Sequence, residues 1–108
     1  MTTFDDREKA YERKFVHDEE LRFRATARRN KLFGLWAAEK MGLSGGEAAD
    51  YAKAVVKADL EEAGDEDVLR KVGSDLQAKG AAVPDAELRT RLVDLMAEAI
   101  RQIEAERK

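Results

Sequence analysis

The chain has 108 residues, 40% of them charged, 44% hydrophobic and 6% aromatic, with a formal net charge of −3 and no Cys. That is one domain, without disulfides, thiolate chemistry or a Cys-based zinc site, and one His excludes a multi-histidine metal site. Eighteen of the apolar residues are Ala, so the core is small, and the abundance of Ala, Glu, Lys, Leu and Arg predicts an all-α domain.

No apolar run is long enough to span a bilayer, and the first residues lack a basic stretch followed by an apolar one, so no membrane insertion and a cytoplasmic location are expected. Charge is unevenly spread. Residues 1–31 carry nine Lys/Arg against seven Asp/Glu, residues 39–67 three against nine, and residues 68–108 eight against seven. Such a chain is electrically polar rather than uniformly basic, which argues against nucleic acid as a partner.

The first 43 residues carry an anomaly. Phe4, Tyr11 and Phe15 fall within about 40° of one another on a helical wheel. Continuing that line meets Asp18, Arg22 and Arg29, and an apolar face restarts elsewhere through Leu21, Ala25, Leu32 and Trp36. Asp18 is a candidate N-cap for the second stretch, with two acids in its first turn. The boundary predicts an N-terminal segment over residues 1–18 and a helical bundle over 19–108. A narrow aromatic stripe on a short, otherwise charged segment suits helix formation in a partner's groove, and it equally suits folding back onto the bundle.

Ser44-Gly45-Gly46-Glu47 has the form of a capping box opening a second helix, with Ala48, Tyr51, Ala52, Val55 and Val56 on its inner face and Gly64 beyond its end. Asp65-Glu66-Asp67 opens a third, with Leu69, Val72 and Leu76 inward and Gly80 as its stop. Val83-Pro84-Asp85 opens a fourth, whose stripe runs through Leu88, Leu92, Leu95, Met96, Ala99 and Ile103. The short connections make antiparallel neighbours, hence a four-helix bundle, with the leading segment either mobile or loosely attached, or folded back onto the bundle.

Catalytic chemistry is not visible. His17 has no Ser or Cys at a recognisable spacing, the acids near residue 65 lack calcium-loop spacing, and Ser44-Gly45-Gly46 lacks the Gly-Lys-Ser/Thr of a phosphate loop. No enzyme and no metal are expected. Arg22, Arg24, Arg28, Arg29 and Lys31 form a basic run without an acid. It reads either as a solvated face partly paired to acids of the second or third helix, or as an anion site with Trp36 or Phe33 stacking on a base.

Several stretches carry a resemblance: residues 1–10, Ala27-Arg28-Arg29-Asn30-Lys31-Leu32-Phe33-Gly34-Leu35-Trp36 through Lys40, Gly42 to Gly45, Tyr51 to Asp59 and Glu61 to Val68. Together they resemble the zeta subunit of the alphaproteobacterial F1Fo-ATP synthase, a natural inhibitor of F1-ATPase. The likeness covers essentially the whole chain and is strongest through residue 73.

The resemblance implies a four-helix bundle whose N-terminal segment becomes helical in a catalytic interface between the alpha and beta subunits of F1, close to gamma. It also implies a block of hydrolysis that leaves synthesis largely unimpeded, and a peripheral position at the inner membrane through F1. On that footing Phe4, Asp5, Arg7, Glu8, Tyr11, Lys14 and Phe15 are the expected partner-binding residues. Family members are described as binding ADP or ATP on the bundle; Arg24, Arg28, Arg29, Lys31 and Trp36 are the candidates for that regulatory ligand. No required cofactor is expected, and the chain is expected to act as a monomer. The alternative from another class is a stand-alone helical adaptor that senses adenine nucleotide and acts on a different partner.

Overall fold

The computed structural model describes residues 19–61 and 64–106. Four helices follow in chain order: α1 (Glu19–Lys40), α2 (Gly45–Glu61), α3 (Asp65–Ala78) and α4 (Asp85–Glu106), with no strand among the described residues. The expected all-α, four-helix architecture is therefore what forms. Phe4, Asp5, Arg7, Glu8, Tyr11, Lys14 and Phe15 lie outside the described residues.

The helix ends follow from local chemistry. After α1, Gly42 adopts φ 80°. Its N–H donates to Glu39 O at 3.1 Å, and the Leu43 N–H donates to Ala38 O at 2.9 Å. The same pair of reversed bonds closes α3. Gly80 has φ 72°, its N–H reaches Gln77 O at 3.0 Å, and Ala81 N–H reaches Leu76 O at 2.8 Å. Both are Schellman closures, which satisfy carbonyls left over at a helix end. Pro84 sits at the N-cap of α4: its carbonyl accepts from Glu87 at 3.0 Å and Leu88 at 3.1 Å.

α1 is the central element. It packs most extensively on α2 and next on α4. Two apolar clusters result. The larger joins Phe33 and Ala37 of α1 to Val55 of α2, Val68, Leu69, Val72 and Leu76 of α3, and Leu88 and Leu92 of α4. The smaller sits at the other end, where Leu21 and Ala25 meet Ile100 and Ile103, with Met96 beside them. The start of α1 is thus held by the end of α4.

The helices cross closely at one point. A Cβ on Gly34 would lie 2.7 Å from the Ala52 Cα, inside van der Waals contact, so only glycine lets the α1 and α2 backbones approach this far.

The buried face of α1 differs from the wheel reading. The i+4 row Leu21, Ala25, Arg29, Phe33, Ala37 is buried throughout, whereas Leu32 and Trp36 are half-buried. Each i+4 step drifts about 40° around the axis. The row can stay buried because α1 changes neighbours along its length, from α4 at its start to the four-helix core further on. Arg29 interrupted the apolar pattern and hid that row.

Candidate functional site

The basic run does not act as one group. Arg29 is buried at 5% exposure. Its guanidinium donates to the Asn30 Oδ1 from Nε at 3.1 Å and Nη2 at 3.0 Å, and to Asp65 Oδ1 at 2.9 Å. It is a tie between α1 and the start of α3, and its place on an exposed anion-gripping face is corrected accordingly. The reason is packing: position 29 lies on the inward row, and a guanidinium tolerates that place because fixed oxygens meet its N–H groups.

Arg28 bridges to α4 instead. It forks onto the Glu106 carboxylate at 2.7 and 2.9 Å and also donates to Gln102 Oε1 at 2.9 Å. The bidentate geometry holds the Glu106 carboxyl below its usual range, mainly through the hydrogen bond from Arg28. Arg28 thus pairs with the fourth helix, while Arg29 makes the expected pairing with the third through Asp65.

Trp36 is also already engaged. Its ring stacks on Phe33 at 5.6 Å with planes 7° apart. Lys40 lies 5.3 Å and Arg91 5.5 Å from the ring centroid. Phe33 itself is fully buried, which removes it as a stacking surface for a base.

Three of the five candidates do come together. Arg24, Arg28 and Lys31 line one shallow hollow of about 330 Å³ with Phe23, Val56 and Ile103. Arg29 and Trp36 do not line it. The cations could receive a phosphate group there, and the exposed Phe23 ring offers a stacking face.

The hollow is one part of a longer groove between α1 and α2. A second, of about 400 Å³, is lined by Leu35, Ala52, Val56 and Leu60 with Lys31, Lys53 and Lys57 at its edges. A slot of about 20 Å³, lined by Thr26, Asn30 and Asp59, shares Phe23 with the first and Leu60 with the second. Wheel reading missed this groove. The signal was present in Phe23, Leu35 and Leu60, apolar positions that belong to no inward stripe. No group of acids and histidines able to hold a metal ion occurs among the described residues.

The comparison with protein families decides the class: the model for ATPase inhibitor subunit zeta matches residues 1–102. The chain belongs to this family. By its description the family is one of ATPase inhibitors, a regulatory class. A solved solution NMR structure is similar at 56% identity, covering 80% of this chain and 98% of that one, with a TM-score of 0.71. A search of curated proteins gave no match. Among the described residues no helix is long and apolar enough to cross a membrane.

Proposed function

We propose that this zeta-family chain blocks ATP hydrolysis by inserting residues 1–18 at an alpha/beta catalytic interface of F1, near gamma. The observation that carries the reading is the reach of the family match. It starts at residue 1 and so includes the leading segment together with the body. Among the described residues the body forms two apolar clusters, made by residues from Leu21 onward.

The mechanism follows from these parts. Phe4, Tyr11 and Phe15 are apolar anchors, and Asp5, Arg7, Glu8 and Lys14 are charged rim groups that orient the segment and speed its arrival. The body is the stop. Its smallest principal extent is 26 Å, more than twice the ~10–12 Å width of one helix. A helix can enter a cleft that the body cannot follow into, and a wedged interface cannot close for hydrolysis.

The root of the segment is fixed by the Leu21–Ala25 contact with Ile100 and Ile103 and by the Arg28–Glu106 fork. Binding energy gained by the segment is therefore transmitted to a rigid body. The test is ATP hydrolysis by isolated F1 with the full chain and with residues 19–108 alone. The full chain should inhibit and the shortened one should not; equal inhibition refutes the mechanism.

A second element of the proposal is regulation by ADP or ATP in the hollow of Arg24, Arg28 and Lys31. The clustering of those cations beside Phe23 supports it. Isothermal titration calorimetry with ADP reads binding. Loss of binding in Arg24→Ala and Lys31→Ala, with inhibition of F1 retained, is the expected result. Unchanged ADP binding in both variants removes the site.

A further inference from the structure

We propose that the α1–α2 groove is a docking surface for an acidic amphipathic helix of the partner protein, separate from the leading segment. The inference rests on the proposed function for the choice of F1 as that partner, and the experiment below separates the two.

The apolar floor is unusual for this molecule. Three large apolar side chains stand exposed among the described residues, and two of them, Phe23 and Leu60, both 59% exposed, border this groove. Val56 lines all three hollows, so they adjoin one another along the contact of the two helices. An elongated apolar strip between two parallel ridges suits a helix presenting residues at i, i+3, i+4 and i+7.

The edge sets the sign of the occupant. Lys31, Lys53 and Lys57 border the wider hollow, and no carboxylate of the described side chains lines it. Residues 39–67 carry nine acids against three Lys, yet two of those three Lys are placed here. Cationic edges around an apolar floor select a segment with acids flanking its apolar face, through like-charge exclusion as much as attraction.

A third observation is independent of exposure and of net charge. Asn30 is 1% exposed, and its Nδ2 has no hydrogen-bond partner among the described residues. Its Oδ1 is already taken by Arg29. Asn30 lines the inner slot of the groove. A buried amide N–H₂ is a donor in want of an acceptor, and a hydroxyl or amide oxygen of an incoming side chain supplies one. Asp59 lines the same slot, so a neutral acceptor fits there better than a second carboxylate.

Two other occupants fit less well. Residues 1–18 carry four Lys/Arg against five Asp/Glu, close to neutral, and offer little charge complementarity. A second copy would bring its own Lys edge against this one.

The test uses the full chain labelled with ¹⁵N and a helical peptide of Leu and Glu, with Leu at i, i+3, i+4 and i+7, against the same peptide with Lys in place of Glu. The Glu peptide should shift the Asn30 side-chain amide and the backbone signals of Ala27, Val56 and Leu60. It should bind about tenfold more weakly to Lys31→Glu/Lys53→Glu and lose affinity as salt rises. The Lys peptide should leave these signals in place. No shift with the Glu peptide, or equal shifts with both, overturns the proposal. So does movement of the groove signals when residues 1–18 are removed from the free protein, which assigns the groove to the chain's own segment. A dimer that Leu60→Asp dissolves overturns it in favour of a second copy.

With isolated F1, the full-length Lys53→Glu variant, changed outside the proposed nucleotide hollow, should need about ten times more protein for half inhibition while reaching the same maximum. Unchanged potency overturns the docking surface and leaves the leading segment's role intact. Full inhibition by residues 19–108 alone removes the segment's role and leaves the groove.

Discussion

Replacing Gly34 with Ala tests the closest helix crossing in the molecule. The added Cβ would stand 2.7 Å from the Ala52 Cα, 3.3 Å from its Cβ and 3.2 Å from Val55 Cγ2, where ordinary contact begins at 3.4 Å. The first neighbour is backbone and cannot rotate away. α1 and α2 must separate locally by roughly 0.7 Å, the difference of those two distances, and packing across the Phe33–Val55 core is lost with it. Overpacking of this kind costs about 1–3 kcal/mol. A clash with backbone takes the upper part of that range, about 2–3 kcal/mol, and Ala gains about 1 kcal/mol over Gly in a helix interior, so a net loss of about 1–2 kcal/mol is expected. In a domain near this size that lowers Tm by about 5–15 °C. Thermal and urea unfolding followed by circular dichroism measures it. Gly46→Ala is the control, since a Cβ there meets nothing within 4 Å, and it should change stability by about 0.5 kcal/mol or less. A Gly34→Ala protein as stable as the parent would refute the close-crossing argument.

Tyr11→Ala and Phe15→Ala should each weaken F1 inhibition by about 2 kcal/mol, roughly 30-fold, with the melting temperature of the body unchanged; inhibition curves and calorimetry on the same samples check both halves. Asp65→Ala should destabilise by about 1–3 kcal/mol, because the Arg29 guanidinium keeps only the Asn30 oxygen as an identified acceptor, read by urea unfolding. Tyr51 donates to Asp75 Oδ2 at 2.8 Å, and burial first, then that bond, pushes its ionisation well above the ordinary value. Tyr51→Phe should cost about 0.5–1.5 kcal/mol. Acid should loosen the inter-helix clasps. Glu106 and Glu66 titrate below their usual range, held mainly by hydrogen bonds from Arg28 and Arg89. A carboxyl with a depressed folded-state pKa stabilises above its unfolded value and loses that contribution as pH falls through the folded one. The decline should begin near pH ~4.3 and shrink in high salt, because both carboxylates are exposed; melting curves from pH 6 to 3 at two ionic strengths follow it.

The fold was largely legible in the chain because its punctuation is local. Gly42, Gly80, Pro84 and the acids at 65–67 act on the few residues beside them, and each stands where a helix begins or ends. The stripes of α3 and α4 were legible for a related reason: Leu69, Val72, Leu76, Leu88 and Leu92 all face one core. α1 was harder. It serves two cores, so its inward row rotates, and a charged residue sits within that row.

The candidate site was legible only in part. Arg24, Arg28 and Lys31 are a cluster in sequence and in space, as i+4 and i+3 spacing requires. Arg29, adjacent to Arg28, ends on the opposite side of the question, buried against α3. Lys53, Lys57 and Leu60 joined the site from another helix, and no local spacing relates them to Lys31.

Sequence by itself determined the number of helices, their ends and the family, since caps, periodicity and matched segments are properties of contiguous residues. Tertiary structure alone decided which arginine is a tie and which faces a groove, and how near α1 comes to α2 at Gly34. The physical reason is that burial and pairing depend on residues distant in the chain: Asp65 accepts Arg29, Glu106 accepts Arg28, and Ala52 makes room for a helix only where its neighbour has no side chain.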